Sequence, residues 1–177
     1  MKDKRLEGIE EQLGKRRNFD APPLQLWQPD LSGDIPIHIT ADGDWYHEGV
    51  KIKREALVRL FASILRREED GEYYLVTPVE KWRINVECHP LTVIDIGTLE
   101  ESGILIATLN TGKTVQVDET HPLFLDAAAG DIAVLQLDHG LTAIFNRAAW
   151  YRLVDLAQDI DGTASVRSGA AVFALVN

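Results

Sequence analysis

The first half of the chain alternates polar and apolar residues in a way that is typical of β-strands. Residues 72–87 form two runs of strand-forming residues separated at Thr77-Pro78. In the second run, the apolar residues Trp82, Ile84 and Val86 alternate with polar neighbours, and a period of two indicates a strand with one buried face. We therefore predict two strands here, with Glu80 and Lys81 at the turn between them.

Other segments repeat apolar residues with a helical period. Between positions 57 and 65 the apolar residues fall at i, i+3, i+4, i+7 and i+8, which predicts a helix from about Arg54 to about Arg67. A second helix is predicted to start at Asn146, a good N-cap, and to run to about Ala157. Residues 3–17 predict a weaker helix, and the proline-rich segment 19–29 predicts an extended connector.

The two stronger helices lie in similar surroundings, which predicts a duplicated unit. Each follows a hairpin with glycine at its turn (Gly43, Gly140), and each precedes an Asp-Gly turn and a strand pair (Asp70-Gly71, Asp161-Gly162). Agreement of order, spacing and turn chemistry indicates a repeat. We expect an α+β fold with a duplicated hairpin–helix–hairpin unit, mostly antiparallel sheets and one main helix per half. The expected divisions are an N-terminal helix and extended arm (1–30), a first repeat domain (31–88) and a second repeat domain (89–177).

Charge and composition narrow the classes of partner. The formal net charge of −10 repels phosphate backbones, so we expect no nucleic-acid partner. No apolar run approaches the ~20 residues that a membrane helix needs, and the N-terminus lacks the apolar core of a signal peptide. We therefore expect a cytoplasmic protein without a membrane partner. Cys88 is the single cysteine, which excludes an internal disulfide and a cysteine-based metal site.

The most informative polar cluster lies at Thr77–Lys81 and continues to Arg83. Polar groups among strong strands must be hydrogen-bonded or exposed to a ligand. Thr77, Lys81 and Arg83 are candidate donors to a small anionic molecule, although Glu80 and Lys81 also fit a solvated turn. Trp45 and Tyr46 are candidates for a stacking wall or for the core, and Arg147 opposes the dipole at its helix start. The candidate ligand-binding residues are Thr77, Glu80, Lys81, Arg83, Trp45, Tyr46, His47, His121 and Arg147.

Signals for catalysis or for a metal are weak. The serines lie in no nucleophile elbow, and adjacency of Cys88 and His89 along the chain does not create a catalytic pair. His38 and His47 match no metal-site spacing, so we expect no metal and no cofactor. Two alternatives to a binding module remain open. One is a hydrolase using His47 or His121 with a carboxylate, and the other is a protein-interaction or homodimerisation module using exposed strand edges.

Several strings are similar to a known bacterial family. They are Gly33-Asp34-Ile35, Asp44-Trp45-Tyr46-His47-Glu48-Gly49, Leu57-Val58-Arg59-Leu60-Phe61, Leu75-Val76-Thr77-Pro78-Val79-Glu80-Lys81 and His121-Pro122-Leu123. Over residues 30–177 the chain resembles the family catalogued as domain of unknown function 1285, although Cys88-His89 departs from the acidic residue expected there.

The resemblance carries expectations about fold and function but no established activity. It implies a duplicated α+β core and a C-terminal half loosely similar to pleckstrin-homology folds. It also implies a small-ligand site between the halves, for a nucleotide-like molecule, and a role in signalling. With the polar cluster above, it leads us to expect a non-catalytic small-ligand-binding or signalling module with an anionic ligand in the cleft between the halves.

Overall fold

The computed structural model describes residues 3–14 and 21–176 and divides into two compact units, Met1–Cys88 and His89–Asn177. We call them the N-terminal unit and the C-terminal unit. Among the described residues, no helix has the length and apolar character needed to cross a membrane.

The described residues of the N-terminal unit form one six-stranded mixed sheet and two α-helices. Its sheet order is β3-β2-β1-β6-β5-β4, in which β1 and β6 are parallel and the other neighbours are antiparallel. The elements are α1 (Lys4–Gly14), a 3₁₀ turn (Leu24–Leu26), β1 (Gly33–Ile39), β2 (Trp45–His47), β3 (Val50–Lys51), α2 (Glu55–Ser63), β4 (Leu65–Arg67), β5 (Tyr73–Val76) and β6 (Lys81–Val86).

The C-terminal unit contains a second six-stranded mixed sheet, one α-helix and a three-stranded sheet. The larger sheet has the order β10-β11-β12-β7-β8-β9 with β12 parallel to β7, and the smaller has the order β13-β14-β15. The elements are β7 (Leu91–Thr98), β8 (Leu105–Leu109), β9 (Thr114–Gln116), β10 (Leu123–Asp126), a 3₁₀ turn (Ala127–Ala129), β11 (Ile132–Gln136), a 3₁₀ turn (Asp138–Gly140), β12 (Thr142–Phe145), α3 (Arg147–Asp155), β13 (Gln158–Ile160), β14 (Thr163–Ser168) and β15 (Ala171–Ala174).

The predicted α+β fold with duplicated halves is confirmed. Hairpin, helix and hairpin follow one another around α2 and again around α3. The larger sheets also share a topology that the sequence did not indicate. Each consists of two antiparallel three-stranded meanders, joined by parallel pairing of the first strand of one with the last strand of the other. The helices enter at different points, because α2 lies between its two meanders and α3 follows the second.

The N-terminal helix belongs to the core of its unit. Ile9 and Leu13 on α1 are fully buried, as is Leu24 in the connector, whereas Leu26 is exposed. The predicted helix over 3–17 is therefore present and docked as far as Gly14, and residues 15–17 lie outside the described part of the chain.

The predicted C-terminal end of the first helix was wrong. Helix α2 ends at Ser63, and the segment predicted as its last turn contains strand β4. The side chains of Ile64 and Leu65 are fully buried. Two consecutive buried apolar residues fit a buried helix face and a fully buried strand equally well. Pairing of Leu65 with Leu75 across the Asp70-Gly71 turn favours the strand. By contrast, α3 starts where expected, since the Asn146 side chain accepts a hydrogen bond from the backbone N–H of Ala149 at 2.8 Å.

Candidate functional site

Strand register brings charged residues of the N-terminal unit onto one side of its sheet. Arg66 lies opposite Tyr74, Tyr74 opposite Arg83, and Arg83 beside Asp34. Residues directly opposite one another share a face of a sheet, as do residues two apart along a strand. Lys81 is two residues from Arg83 and Glu68 is two residues from Arg66, so both are expected next to this row. The ion pair between Lys81 Nζ and Glu68 Oε2 at 3.0 Å agrees with that placement. We call this surface the charged face, made of Asp34, Arg66, Glu68, Tyr74, Lys81 and Arg83.

Glu68 is the centre of the charged face. Its carboxylate accepts hydrogen bonds from Nη2 of Arg66 at 2.7 Å and from Nζ of Lys81 at 3.0 and 3.2 Å. Lys81 Nζ also lies 4.7 Å from the centroid of the Tyr74 ring, within range of a cation–π interaction. Burial alone would raise the pKa of Glu68, but the hydrogen bonds from Arg66 and Lys81 outweigh it and lower the pKa. The carboxylate is thus ionised at neutral pH.

Arg66 anchors this cluster to the connector. Its Nη1 donates to the carbonyl oxygens of Leu24 and Trp27, both at 2.9 Å. The guanidinium is buried, yet its charge is compensated by Glu68 and its N–H groups find acceptors, as burial of a charge requires. Arg66 is therefore a fixed part of the cluster.

The outer carboxylates of the cluster are exposed. Asp34 accepts from Nε of Arg83 at 2.7 Å, and this hydrogen bond lowers the pKa of the aspartate. Asp70 accepts from the Tyr74 hydroxyl at 2.5 Å, which raises the pKa of Tyr74 to about 12. Both carboxylates are accessible to solvent, so they differ from the more enclosed Glu68.

Two residues of the predicted cluster shape the turn between β5 and β6. Thr77 is fully buried, and its Oγ1 accepts from the backbone N–H of Val79 and of Glu80 at 3.4 and 3.0 Å. Glu80 accepts from Gln12 Nε2 on α1 at 3.0 Å and from Trp82 Nε1 at 3.4 Å. Thr77 therefore stabilises the turn, and Glu80 links the turn to α1. Neither residue belongs to the charged face.

The aromatic and histidine candidates of β2 are divided between the two faces of the sheet. Trp45 is 2% exposed and stacks on Phe61 of α2, with ring centroids 6.3 Å apart, so it belongs to the core and offers no stacking wall. Tyr46 is half-buried on the opposite face, in register with His38. His47 returns to the core side, where its Nε2 lies 3.1 Å from Oδ2 of Asp3.

The two candidates in the C-terminal unit do not lie together. His121 Nε2 is 3.1 Å from Oδ1 of Asp138, and its Nδ1 is 3.6 Å from Oδ1 of Asp118. The guanidinium carbon of Arg147 is 5.6 Å from the centroid of the Tyr151 ring, one turn along α3. Arg147 therefore contacts an aromatic ring of its own helix.

One described group in the N-terminal unit has the donor set of a metal site. Ligand atoms of Asp3, His47 and Glu48 lie within 4.8 Å of one another. However, Arg5 donates to both carboxylate oxygens of Asp3, from Nε at 2.9 Å and from Nη2 at 2.6 Å, and it holds the pKa of Asp3 well below its usual range. A cation would have to displace this guanidinium, so the arrangement does not favour a metal.

Sequence reasoning missed two groups of residues. Arg66 was assigned to the last turn of a helix and Glu68, just beyond it, was given no role, although the Asp70-Gly71 turn flanked by strand-forming residues was a usable signal for a hairpin. His89 was considered only beside Cys88. In the structure its ring contacts Thr142 and Asp126, which are 53 and 37 residues away along the chain, and no local spacing indicates such a contact.

Comparisons with known proteins give the same family for both units. Residues 22–88 match the model for "Domain of unknown function (DUF1285), N-terminal domain", and residues 90–175 match "Protein of unknown function (DUF1285), C-terminal domain". Among solved structures, a DUF1285 family protein from Silicibacter pomeroyi DSS-3 is 34% identical, with a TM-score of 0.83 over 94% of this chain and 93% of that one. Another from Shewanella baltica OS155 is 34% identical, with a TM-score of 0.58 over 67% of this chain and 90% of that one. No curated protein matches.

Proposed function

The chain belongs to the DUF1285 family, and from the contacts of its N-terminal unit we propose that this unit is a non-catalytic binding module for a small anionic molecule. The proposed site is the charged face, with Lys81 and Arg83 as the residues that contact the ligand. The observation that carries the proposal is the sharing of one carboxylate, Glu68, by the two cations Arg66 and Lys81.

The inner cluster holds one more positive charge than negative. Arg66 and Lys81 contribute two charges, and Glu68 compensates one of them. The side chains of Lys81 and Glu68 are only 17% and 24% exposed, and electrostatic interactions strengthen where water is partly excluded. With Arg83, Asp34 and Asp70 included the charges balance, so an anion binds here by displacing the exposed carboxylates of Asp34 and Asp70, which interact with Arg83 and Lys81.

The exposed carboxylates are counterions that a ligand can replace. Arg83 and Asp34 are 41% and 67% exposed, and exposed ion pairs contribute little to stability because water replaces either partner. Asp34 accepts at Nε of Arg83, whereas a guanidinium carries five N–H donors in a fork that suits phosphate and carboxylate oxygens. Replacing Asp34 by a ligand oxygen as the hydrogen-bond acceptor of Arg83 therefore costs little free energy.

Lys81 is positioned before the ligand arrives. Glu68 and the Tyr74 ring hold its ammonium group from two sides, so less side-chain entropy is lost on binding than for a free lysine. The hydroxyl of Tyr74 has its pKa raised to about 12 by its hydrogen bond to Asp70 and is therefore not activated as a nucleophile, so binding without a chemical step is the function that the groups of the charged face support. We further propose that the protein is cytoplasmic. We also propose a signalling role, because a module that binds a ligand without a reaction acts through the difference between its bound and free states.

The test is a thermal and chemical unfolding titration of the full chain with inorganic pyrophosphate at constant ionic strength. We expect saturable stabilisation, reaching about 2.7 kcal/mol at 100 times the dissociation constant. Arg83→Gln and Lys81→Met should each weaken pyrophosphate binding at least tenfold. The matched control is Arg59→Gln, which removes an arginine paired with a carboxylate on α2, away from the charged face.

Either of two results would count against the proposed site. One is an absence of saturable stabilisation by pyrophosphate, and the other is equal stabilisation of the wild type and Arg83→Gln. Loss of binding in Arg59→Gln as well would indicate a general charge effect, which also contradicts a specific site.

A further inference from the structure

His89 in the C-terminal unit joins a hydroxyl group to a carboxylate. Its Nδ1 is 2.7 Å from Oγ1 of Thr142 at the start of β12, and its Nε2 is 2.8 Å from Oδ2 of Asp126 at the end of β10. All three side chains are largely shielded from solvent. This hydroxyl–imidazole–carboxylate arrangement is separate from the charged face and lies wholly within the C-terminal unit.

The charge of Asp126 decides which ring nitrogen of a neutral His89 carries the proton. The hydrogen bond from His89 is the main cause that lowers the pKa of Asp126, so its carboxylate is ionised at neutral pH. An ionised carboxylate accepts only, which places the imidazole proton on Nε2 and leaves the lone pair on Nδ1 for the Thr142 hydroxyl proton. Asp126 is itself held, because its Oδ1 accepts from the backbone N–H of Ala128 at 2.9 Å.

This order of groups is the one that activates a hydroxyl nucleophile. Such a site needs a hydroxyl hydrogen-bonded to a base, and a third group that orients the base and stabilises its charged form. The distances from His89 to Thr142 and Asp126 satisfy both requirements. The geometry is recognised by these roles and not by residue order along the chain.

Apolar side chains lie on the same side of the sheet. Phe124 and Ile144 are both opposite Val134 of β11, and Asp126 and Thr142 are two residues from them along β10 and β12. The alternation of side chains therefore places all four on one face. Phe124 is 41% exposed and lies two residues from Asp126 on β10, two strands away from Thr142, so the apolar surface open to a substrate borders the carboxylate end of the group.

We propose that the C-terminal unit carries a catalytic site for acyl transfer from esters with an apolar acyl group, with Thr142 as nucleophile and His89 as general base. Thr142 Oγ1 forms a bond to the acyl carbon while its proton moves to Nδ1 of His89. The tetrahedral intermediate expels the alcohol, which takes that proton, and an acyl-threonine remains. Water then attacks the acyl carbon, its proton passes to His89, and the carboxylic acid leaves as Thr142 regains a proton.

An alkyl fluorophosphonate tests the nucleophile on the full chain. Thr142 Oγ1 attacks phosphorus, fluoride leaves and the hydroxyl proton passes to His89, so peptide mass spectrometry should locate a stoichiometric alkylphosphonyl adduct on Thr142. An unlabelled wild-type chain, or an adduct on another residue alone, overturns the proposal.

Variants separate catalysis from a structural role of the same hydrogen bonds. Thr142→Ser should keep the labelling, whereas Thr142→Val should lose it. Asp126→Asn should slow it about 100-fold, because an amide that donates to Nε2 leaves the proton on Nδ1. The matched control is Thr92→Val, a buried threonine opposite Ile144 on the same face, which should label like the wild type. Unchanged labelling in Asp126→Asn, with a folded chain by circular dichroism, contradicts the role given to the carboxylate.

Discussion

Glu68 is the residue on which the charged face depends, because it is the shared acceptor of Arg66 and Lys81. Removing a carboxylate from such a cluster leaves two partly buried cations without their counter-charge. That penalty differs in kind from loss of an exposed pair, where water replaces the missing partner. The two situations occur side by side in this unit and allow a direct comparison.

We predict that Glu68→Gln lowers the free energy of unfolding by about 2 kcal/mol at neutral pH, since an amide cannot neutralise Arg66 and Lys81. Urea unfolding at equilibrium measures the change. Asp34→Asn is the control, because it breaks the exposed pair with Arg83 and should leave the free energy of unfolding nearly unchanged. Equal effects of the two substitutions would show that Glu68 has no special role.

The effect of Glu68→Gln should depend on pH. The folded-state pKa of Glu68 is lowered from the usual value of 4.5, so the unfolded chain binds this proton more readily than the folded chain. The stability that Glu68 contributes is therefore complete above its unfolded pKa and is lost as pH falls through the lower folded pKa. The stability difference between wild type and Glu68→Gln should shrink below pH 4.5, and a constant difference in acid urea titrations would contradict this.

Helix α1 shows how an element outside the matched family segment is joined to the fold. The match begins at residue 22, yet Ile9 and Leu13 of α1 are fully buried. Arg5 and Gln12 add hydrogen bonds to the backbone of Asp34 and to Glu80. A short isolated helix is marginal in water, so α1 owes its stability to this packing.

We predict that Ile9→Ala lowers the free energy of unfolding by about 3 kcal/mol, the usual result of deleting a large buried aliphatic side chain. Leu26→Ala removes a comparable side chain that is 73% exposed, and it should change stability by less than about 0.5 kcal/mol. Chemical unfolding of both variants makes the comparison. Similar values for Ile9→Ala and Leu26→Ala would mean that α1 is not part of the folded core.

Local elements of this fold could be predicted from sequence because their signals are local. The alternation of Trp82, Ile84 and Val86 and the N-cap at Asn146 both correspond to observed elements. The pattern at Ile64 and Leu65 gave the wrong element, since full burial satisfies two periods at once. The predicted site placed Trp45 and Tyr46 together. Side chains alternate along β2, so these two residues lie on opposite faces of the sheet.

At the scale of the whole molecule, the two six-stranded sheets share one strand order although their helices do not. In each, the parallel pair joins strands that are distant in sequence: β1 with β6 and β12 with β7. No periodicity along the chain predicts such a pairing, which is set by how two meanders bury their apolar sides. The duplicated feature is thus the pairing of two meanders, and the helix position is free to vary around it.

This shared topology predicts the same gradient of local stability in both units. The parallel pairs lie at the centre of each sheet, where Ile39, Val93 and Ala143 are fully buried, whereas β3 and β9 are edge strands with mostly exposed residues. Opening a central pair disrupts both meanders, and opening an edge strand disrupts one neighbour. Hydrogen exchange followed residue by residue should therefore show the slowest amides in β1, β6, β7 and β12 and faster exchange in β3 and β9. Comparable protection of edge and centre would mean that the parallel pairs are not the organising contacts of the duplicated sheets.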